Sequence, residues 1–212
     1  MKNTFFYSDP HFHHYNVIKF DKRPFKNLDD MHSTLIKNYN SVVKDEDDVY
    51  CLGDFSFNPK KAGAILEQLK GNKFFIKGNH DHSEMIALYR EFGTFLGSYA
   101  EIKIGENEYT LTHYPFEVWN KSHRGTYHIY GHCHHSLPVN PHIRRVDAGI
   151  NGKGYNYTPQ SEVQMQARLQ AIEWKPLDHH GAREIDKPVP PPSLIVKDGS
   201  LKVGYAQATT NK

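Results

Sequence analysis

Cysteine is scarce: the 212 residues contain only Cys51 and Cys133, with no CxxC pair. A disulfide framework and a thiolate zinc finger are thereby excluded. Long apolar runs are missing too, since no stretch approaches the roughly 18 consecutive apolar residues of a membrane span. The opening segment Met1 to Phe5 lacks the apolar core and small-residue cleavage site of a secretory leader. The expectation is a soluble, cytoplasmic protein with no membrane partner. Neither sign of charge is in excess, because 26 Lys and Arg against 24 Asp and Glu leave a formal +2. That balance disfavours a strongly basic nucleic-acid binder. The length suits one full domain and an appendage. The residue in excess is histidine, 15 of 212, and its clustering is what composition cannot explain.

Hydrophobic periodicity alternates between strand and helix. Asn3 to Ser8 is a short aromatic run that fits a buried strand. Asn27 to Val43 carries Leu28, Met31, Leu35 and Tyr39 at helical spacing, with Asn27 as N-cap and Asp29 and Asp30 in the first turn. Strands at 48–52 and 73–77 alternate with helices near 59–69 and 83–92, which predicts an α/β architecture. From Thr94 the signal turns to strands at 95–104, 108–112, 127–130 and 144–148, before a last helix near 161–174. The globular domain is expected over 1–175, a proline-rich linker over 176–192, and a tail over 193–212 with a β-hairpin around Lys197 to Ser200.

Five segments end an apolar run and then present metal-type ligands. They are Asp9 and His11 after FFYS, Asp54 after VYCL, Asn79 to Asp81 after FFIK, His113 after YTLT, and His132 and His134 after HIY. In open α/β sheets, groups at the carboxyl ends of strands converge on one site however far apart they lie in sequence. Extended backbone sends residues two apart to the same side, so Asp9 and His11 are expected to grip one ion and His132 and His134 to face one pocket. Gly53, Gly78 and Gly131 remove side-chain bulk where backbone must approach the site. Carboxylates, imidazoles and an amide, without thiolate, suit Mn²⁺ foremost, with Fe, Zn²⁺ or Ni²⁺ as alternatives, and their number exceeds the needs of one ion. Two divalent ions are implied, and their net positive charge would attract a phosphate oxygen. Taken singly, any of these residues is an ordinary polar residue at a strand end; taken together they would need five coincidences.

In this order, DxH, GD, GNHD, H and GHxH, the motifs resemble those of the calcineurin-like metallophosphoesterases. The likeness covers residues 9–134 and, more loosely, 1–174, including NVIKFDKRPF and VDAGINGKGYNYTP. It implies a four-layer αββα sandwich of two mixed sheets. It also implies a first ion on Asp9, His11 and His134, a second on Asn79, His113 and His132, and Asp54 bridging them with its two carboxylate oxygens. The activity implied is hydrolysis of a phosphoester, with phosphodiesters slightly favoured over monoesters: a metal-activated hydroxide attacks phosphorus in line, His80 protonates the leaving group, and Asp81 orients the His80 imidazole.

Three further residues are expected to hold substrate: Arg23 in the loop after the first strand, Asn16, and Arg124. Cys133 stands between two ligands but alternation turns it away, toward packing. Substrates compatible with an open site include nucleotides and nucleic-acid ends. A nuclease or end-processing phosphatase is therefore the rival enzyme, and a non-catalytic protein-binding scaffold on the same fold is the rival from another class. The oligomeric state is left open.

Overall fold

The structure is a computed structural model that describes residues 2–177, 193–197 and 200–204. The chain divides into two units, 1–181 and 182–212. In the first, the order is β1 (Thr4–Tyr7), α1 (Tyr15–Phe20), α2 (Leu28–Val42), β2 (Asp48–Cys51), α3 (Pro59–Leu66), β3 (Asn72–Phe75), α4 (Ser83–Phe92) and β4 (Thr94–Phe95). It continues with β5 (Tyr99–Ile104), β6 (Asn107–Thr112), a short 3-10 turn (Ser122–Arg124), β7 (Tyr127–Tyr130), β8 (Arg145–Asp147), β9 (Gln160–Ser161) and α5 (Glu162–Gln170).

Two mixed sheets result. The first runs β4-β3-β2-β1-β9, parallel except for the antiparallel β9. The second runs β5-β6-β7-β8, with β5 antiparallel to β6 and the other pairs parallel. Strand alternation divides the apolar side chains between two cores. Phe5, Tyr7, Val49, Cys51 and Phe75 meet Met31, Leu35 and Tyr39 of α2, Ala62, Ile65 and Leu66 of α3, and Met85 and Tyr89 of α4. Phe6, Leu52 and Ile76 point the other way and meet Tyr109, Leu111 and Ile129 of the second sheet, joined by Met165 and Leu169 of α5. The outer face of the second sheet carries His128, whose ring packs on Phe116 and Trp119 of the 113–126 crossover. At His128 that face is therefore covered by a crossover with one 3-10 turn.

Helix caps follow local chemistry: Asn27 accepts the Asp30 backbone N–H, and Ser161 and Gln164 form a capping box at α5. The expected strand over 95–104 is two strands. β4 pairs with β3 in one sheet and β5 with β6 in the other, with Gly97 at φ +86 between them, so the chain changes sheets inside a run that periodicity reads as continuous. In the second unit β10 (Ser193–Lys197) and β11 (Ser200–Gly204) form an antiparallel pair, with Lys197 opposite Ser200. Most of the expected linker, 178–192, and the last residues, 205–212, lie outside the described residues.

Candidate metal centre

Every predicted ligand follows the carboxyl end of a parallel-paired strand: β1, β2 and β3 in the first sheet, β6 and β7 in the second. The two sheet edges are tied where Ser8 bridges Gly149 and its N–H donates to the Ala148 carbonyl at 2.9 Å. A second tie is the His113 Nδ1–H, which donates to the Leu52 carbonyl at 2.7 Å and turns Nε2 toward Asn79 Oδ1.

Two donor clusters result. In the first, His11 Nε2 and His134 Nε2 face each other at 3.0 Å, and each lies 3.6 Å from Asp9 Oδ1. In the second, Asn79 Oδ1 lies 2.9 Å from both His113 Nε2 and His132 Nδ1. Between them stands Asp54, whose Oδ2 is 3.9 Å from His11 Nε2 and 3.5 Å from His113 Nε2. Its Oδ1 is already engaged, accepting the His80 backbone N–H at 2.9 Å. One carboxylate oxygen, not two, therefore faces both clusters.

The residues fit divalent cations. Asp9 Oδ1 is buried with no hydrogen-bond partner although it looks onto two imidazole nitrogens. A buried acceptor left unpaired costs about 1–3 kcal/mol, which a bound cation would offset. Charge is arranged to suit. Burial alone would raise the Asp9 carboxyl, but the neighbouring His11 and His134 imidazoles and the His113 charge hold it well below the usual carboxylate range. Asp54 is lowered in the same way, with burial opposing and His113 prevailing. Burial works against charge on the imidazoles as well, yet Asp54 and Asp9 lift His113 to about 8, and Asp21 and Asp9 lift His134 to about 10.

The local backbone differs from expectation. Asp9, His11, Asp54, His132 and His134 have φ between 48 and 69, in the left-handed region, not in extended conformation. Such residues cost about 1–2 kcal/mol each outside glycine. Within the one centre, His132 and His134 accordingly join different clusters. Asp9 and His11 do share a cluster, but through successive left-handed turns. The close approach expected of glycine is met: a Cβ on Gly78 would lie 2.2 Å from Asp54 Oδ1, and one on Gly131 1.9 Å from Ser8 Oγ.

Asp81 is fully buried and does not hold the His80 ring. Its Oδ2 accepts the backbone N–H groups of Asp54 at 2.9 Å and Gly78 at 2.8 Å, stapling two ligand loops together, and burial raises its pKa. The His80 ring is half exposed, with Nε2 4.0 Å from Asp54 Oδ2 and its face against Phe57. Arg23, expected to hold substrate, is instead part of the scaffold. Its side chain is inaccessible, and it donates to the carbonyls of Asp9 and Pro10 and to Asp21, because the Asp9–Pro10 turn leaves those carbonyls without ladder partners. Arg124 is exposed before β7, at the strand end opposite the centre. Asn16 is exposed in the first turn of α1, two residues after His14, whose ring stacks on Phe57 at 3.8 Å.

Two contributors escape the sequence reading. Asp21 accepts from His134 Nδ1–H at 2.7 Å, fixing the ring orientation that presents Nε2 to the cluster. Its signal lay inside the NVIKFDKRPF segment, two positions from Arg23. His128 is fully buried; its Nδ1–H donates to the Thr110 carbonyl and its Nε2 accepts the Phe116 N–H, each at 3.0 Å. Burial pushes this imidazole from its ordinary 6.5 down to about 4. Between those values the unfolded chain binds the proton and the native state does not. His128 therefore contributes full stability above pH 6.5 and loses it as the pH falls toward 4, up to about 3 kcal/mol. Urea unfolding at pH 7.5 and 4.5 should show a smaller acid loss for His128→Gln than for the parent; equal losses would remove this assignment.

The fold and these five ligand-bearing strand ends define a metal-dependent hydrolase on a mixed two-sheet scaffold. The chain belongs to the calcineurin-like phosphoesterase superfamily, whose domain matches residues 27–152, and is a phosphoesterase. Asp9 and His11 precede the matched residues. The chain is 36% identical over 167 residues to an uncharacterized protein of Methanocaldococcus jannaschii, covering 76% of this chain and 88% of that one. It is 27% identical over 187 residues to the Gene 66 protein of Mycobacterium phage L5, covering 73% and 89%. A solved protein of unknown function from Aquifex aeolicus shares the fold, with a TM-score of 0.62 at 23% identity over 79% of this chain and all of the other. No helix among the described residues is long and apolar enough to cross a membrane.

Proposed function

We propose that the protein hydrolyses phosphodiesters with two divalent cations, Mn²⁺ foremost, held in the two donor clusters. The observation that carries this reading is the place of Asp54 Oδ2, within 4 Å of imidazole nitrogens from both clusters. Asp9, His11 and His134 would hold one cation, Asn79, His113 and His132 the other, and Asp54 Oδ2 both. Such a pair supplies hydroxide at neutral pH and neutralises charge on phosphoryl oxygens. The chain supplies the rest. Asp21 holds the His134 ring, the Leu52 carbonyl holds the His113 ring, and Asp81 keeps the Asp54 and Gly78 loops in register. His80 projects beside the Asp54 carboxylate with an exposed edge and would give its proton to the departing alkoxide oxygen. This donor suits esters with an alkyl leaving group, since an alkoxide needs a proton to leave.

The test compares p-nitrophenyl phosphate with its bis ester. Chelated, dialysed protein should hydrolyse neither; Mn²⁺ should restore turnover, faster on the bis ester, at about two equivalents per chain. Full activity after chelation, or saturation at one equivalent, would overturn the two-ion reading.

A further inference from the structure

Beside the second donor cluster lies a cleft of about 320 Å³ lined by Lys77, Asn79, Thr112, His113, Tyr114 and Phe116. Because Asn79 and His113 form part of its wall, an ester held at the centre borders this cleft. Its outer wall is aromatic and wet: Tyr114 is 49% exposed and Phe116 36%. Both rings thus offer apolar surface to a planar group entering the cleft.

The rings stand on a fixed backbone. Phe116 is clamped at both ends of its peptide unit, its N–H on buried His128 at 3.0 Å and its carbonyl on Arg145 Nη1 at 2.9 Å, while the Thr112 hydroxyl donates to the Tyr114 carbonyl. The Tyr114 ring packs edge-on against His132 at 4.5 Å and His113 at 5.4 Å; the Phe116 ring stacks on His128 at 5.6 Å and on Tyr99 at 6.3 Å. Rigid aromatic faces bind planar groups at low entropic cost. Lys77 is exposed at the same cleft and adds a positive charge.

We propose that this cleft is a base-stacking subsite, taking the nucleobase of a nucleoside esterified to the phosphorus, with Lys77 meeting a further phosphate of the same strand. The substrate class is then the nucleoside phosphodiester. A sugar phosphate would call for polar walls, and an acyl chain would leave Lys77 without a partner. The proposal rests on the phosphodiesterase reading above. The reaction consumes one water: its hydroxyl oxygen ends on phosphorus, the P–O ester bond breaks, and its proton ends on the leaving oxygen.

The experiment compares thymidine 5′-(p-nitrophenyl phosphate) with methyl p-nitrophenyl phosphate, which share a leaving group and differ only in the group offered to the cleft. The parent protein should prefer the thymidine ester in kcat/KM by about tenfold to a hundredfold, the stacking of one base. Phe116→Leu and Tyr114→Leu should each cut that ratio severalfold, with calorimetry showing matching losses in affinity for thymidine monophosphate. A parent ratio near one, or a ratio unmoved in both variants, overturns the subsite while turnover of the methyl ester upholds the phosphodiesterase reading. If neither ester is hydrolysed, that reading falls, and unchanged thymidine monophosphate affinity in the variants overturns the subsite independently.

Discussion

Asp54→Asn is expected to lower kcat/KM by about a thousandfold or more and to reduce bound metal from two equivalents per chain toward one. The magnitude is that of removing a preorganised charge from a site where charge develops. The change is nearly isosteric, yet neither orientation of the amide works. With its NH₂ in place of Oδ1, a donor meets the His80 backbone N–H, which now has an acceptor at 2.9 Å. With its NH₂ in place of Oδ2, a donor points between the two clusters where His11 and His113 already converge. Asp54 is also among the carboxylates that keep His113 raised to about 8, so losing it removes part of the field that balances the imidazoles. Metal analysis and turnover on one sample check the outcome, with circular dichroism to confirm folding. A variant with parental activity and two bound ions would sink the bridging role.

His80→Ala should separate chemistry from metal holding. The ring is 47% exposed, and its Nε2 lies 4.0 Å from Asp54 Oδ2, outside both donor clusters. Bound metal should stay at the parental level. Turnover should fall by about a hundredfold to a thousandfold on alkyl diesters, whose leaving oxygen needs a proton, and by less than about tenfold on nitrophenyl esters, whose leaving group departs as a stable anion. A uniform loss across both ester classes together with loss of metal would make His80 a ligand. The main-chain anchor on Asp54 Oδ1 survives this substitution, so the bridging carboxylate keeps its orientation.

Much of this centre is legible in the residues. Strand runs ending in Asp9, Asp54, Asn79, His113 and His132 announce five carboxyl ends, and structure puts all five at the joined edges of two sheets. The reading is poorer wherever backbone conformation departs from its regular form. Periodicity assumes extended strand ends, whereas Asp9, His11, Asp54, His132 and His134 turn left-handed, so alternation does not tell that His132 and His134 join different clusters of the centre. Arg23 is a cation beside the site by sequence position, but the bare carbonyls of the Asp9–Pro10 turn draw it inward. Asp81 likewise turns toward the N–H groups of Asp54 and Gly78 rather than toward its neighbour His80, since a buried carboxylate must find donors.

The donors themselves, their types and their places after five apolar runs are properties of the sequence, because strand ends and ligand chemistry are local. Which donors share a cluster, which carboxylate stands between the clusters, and which aromatic rings border them depend on the closure of Ser8 against Gly149 and of His113 against Leu52. Those contacts join segments about 140 and 61 residues apart, and only the packing of one sheet on the other sets their register.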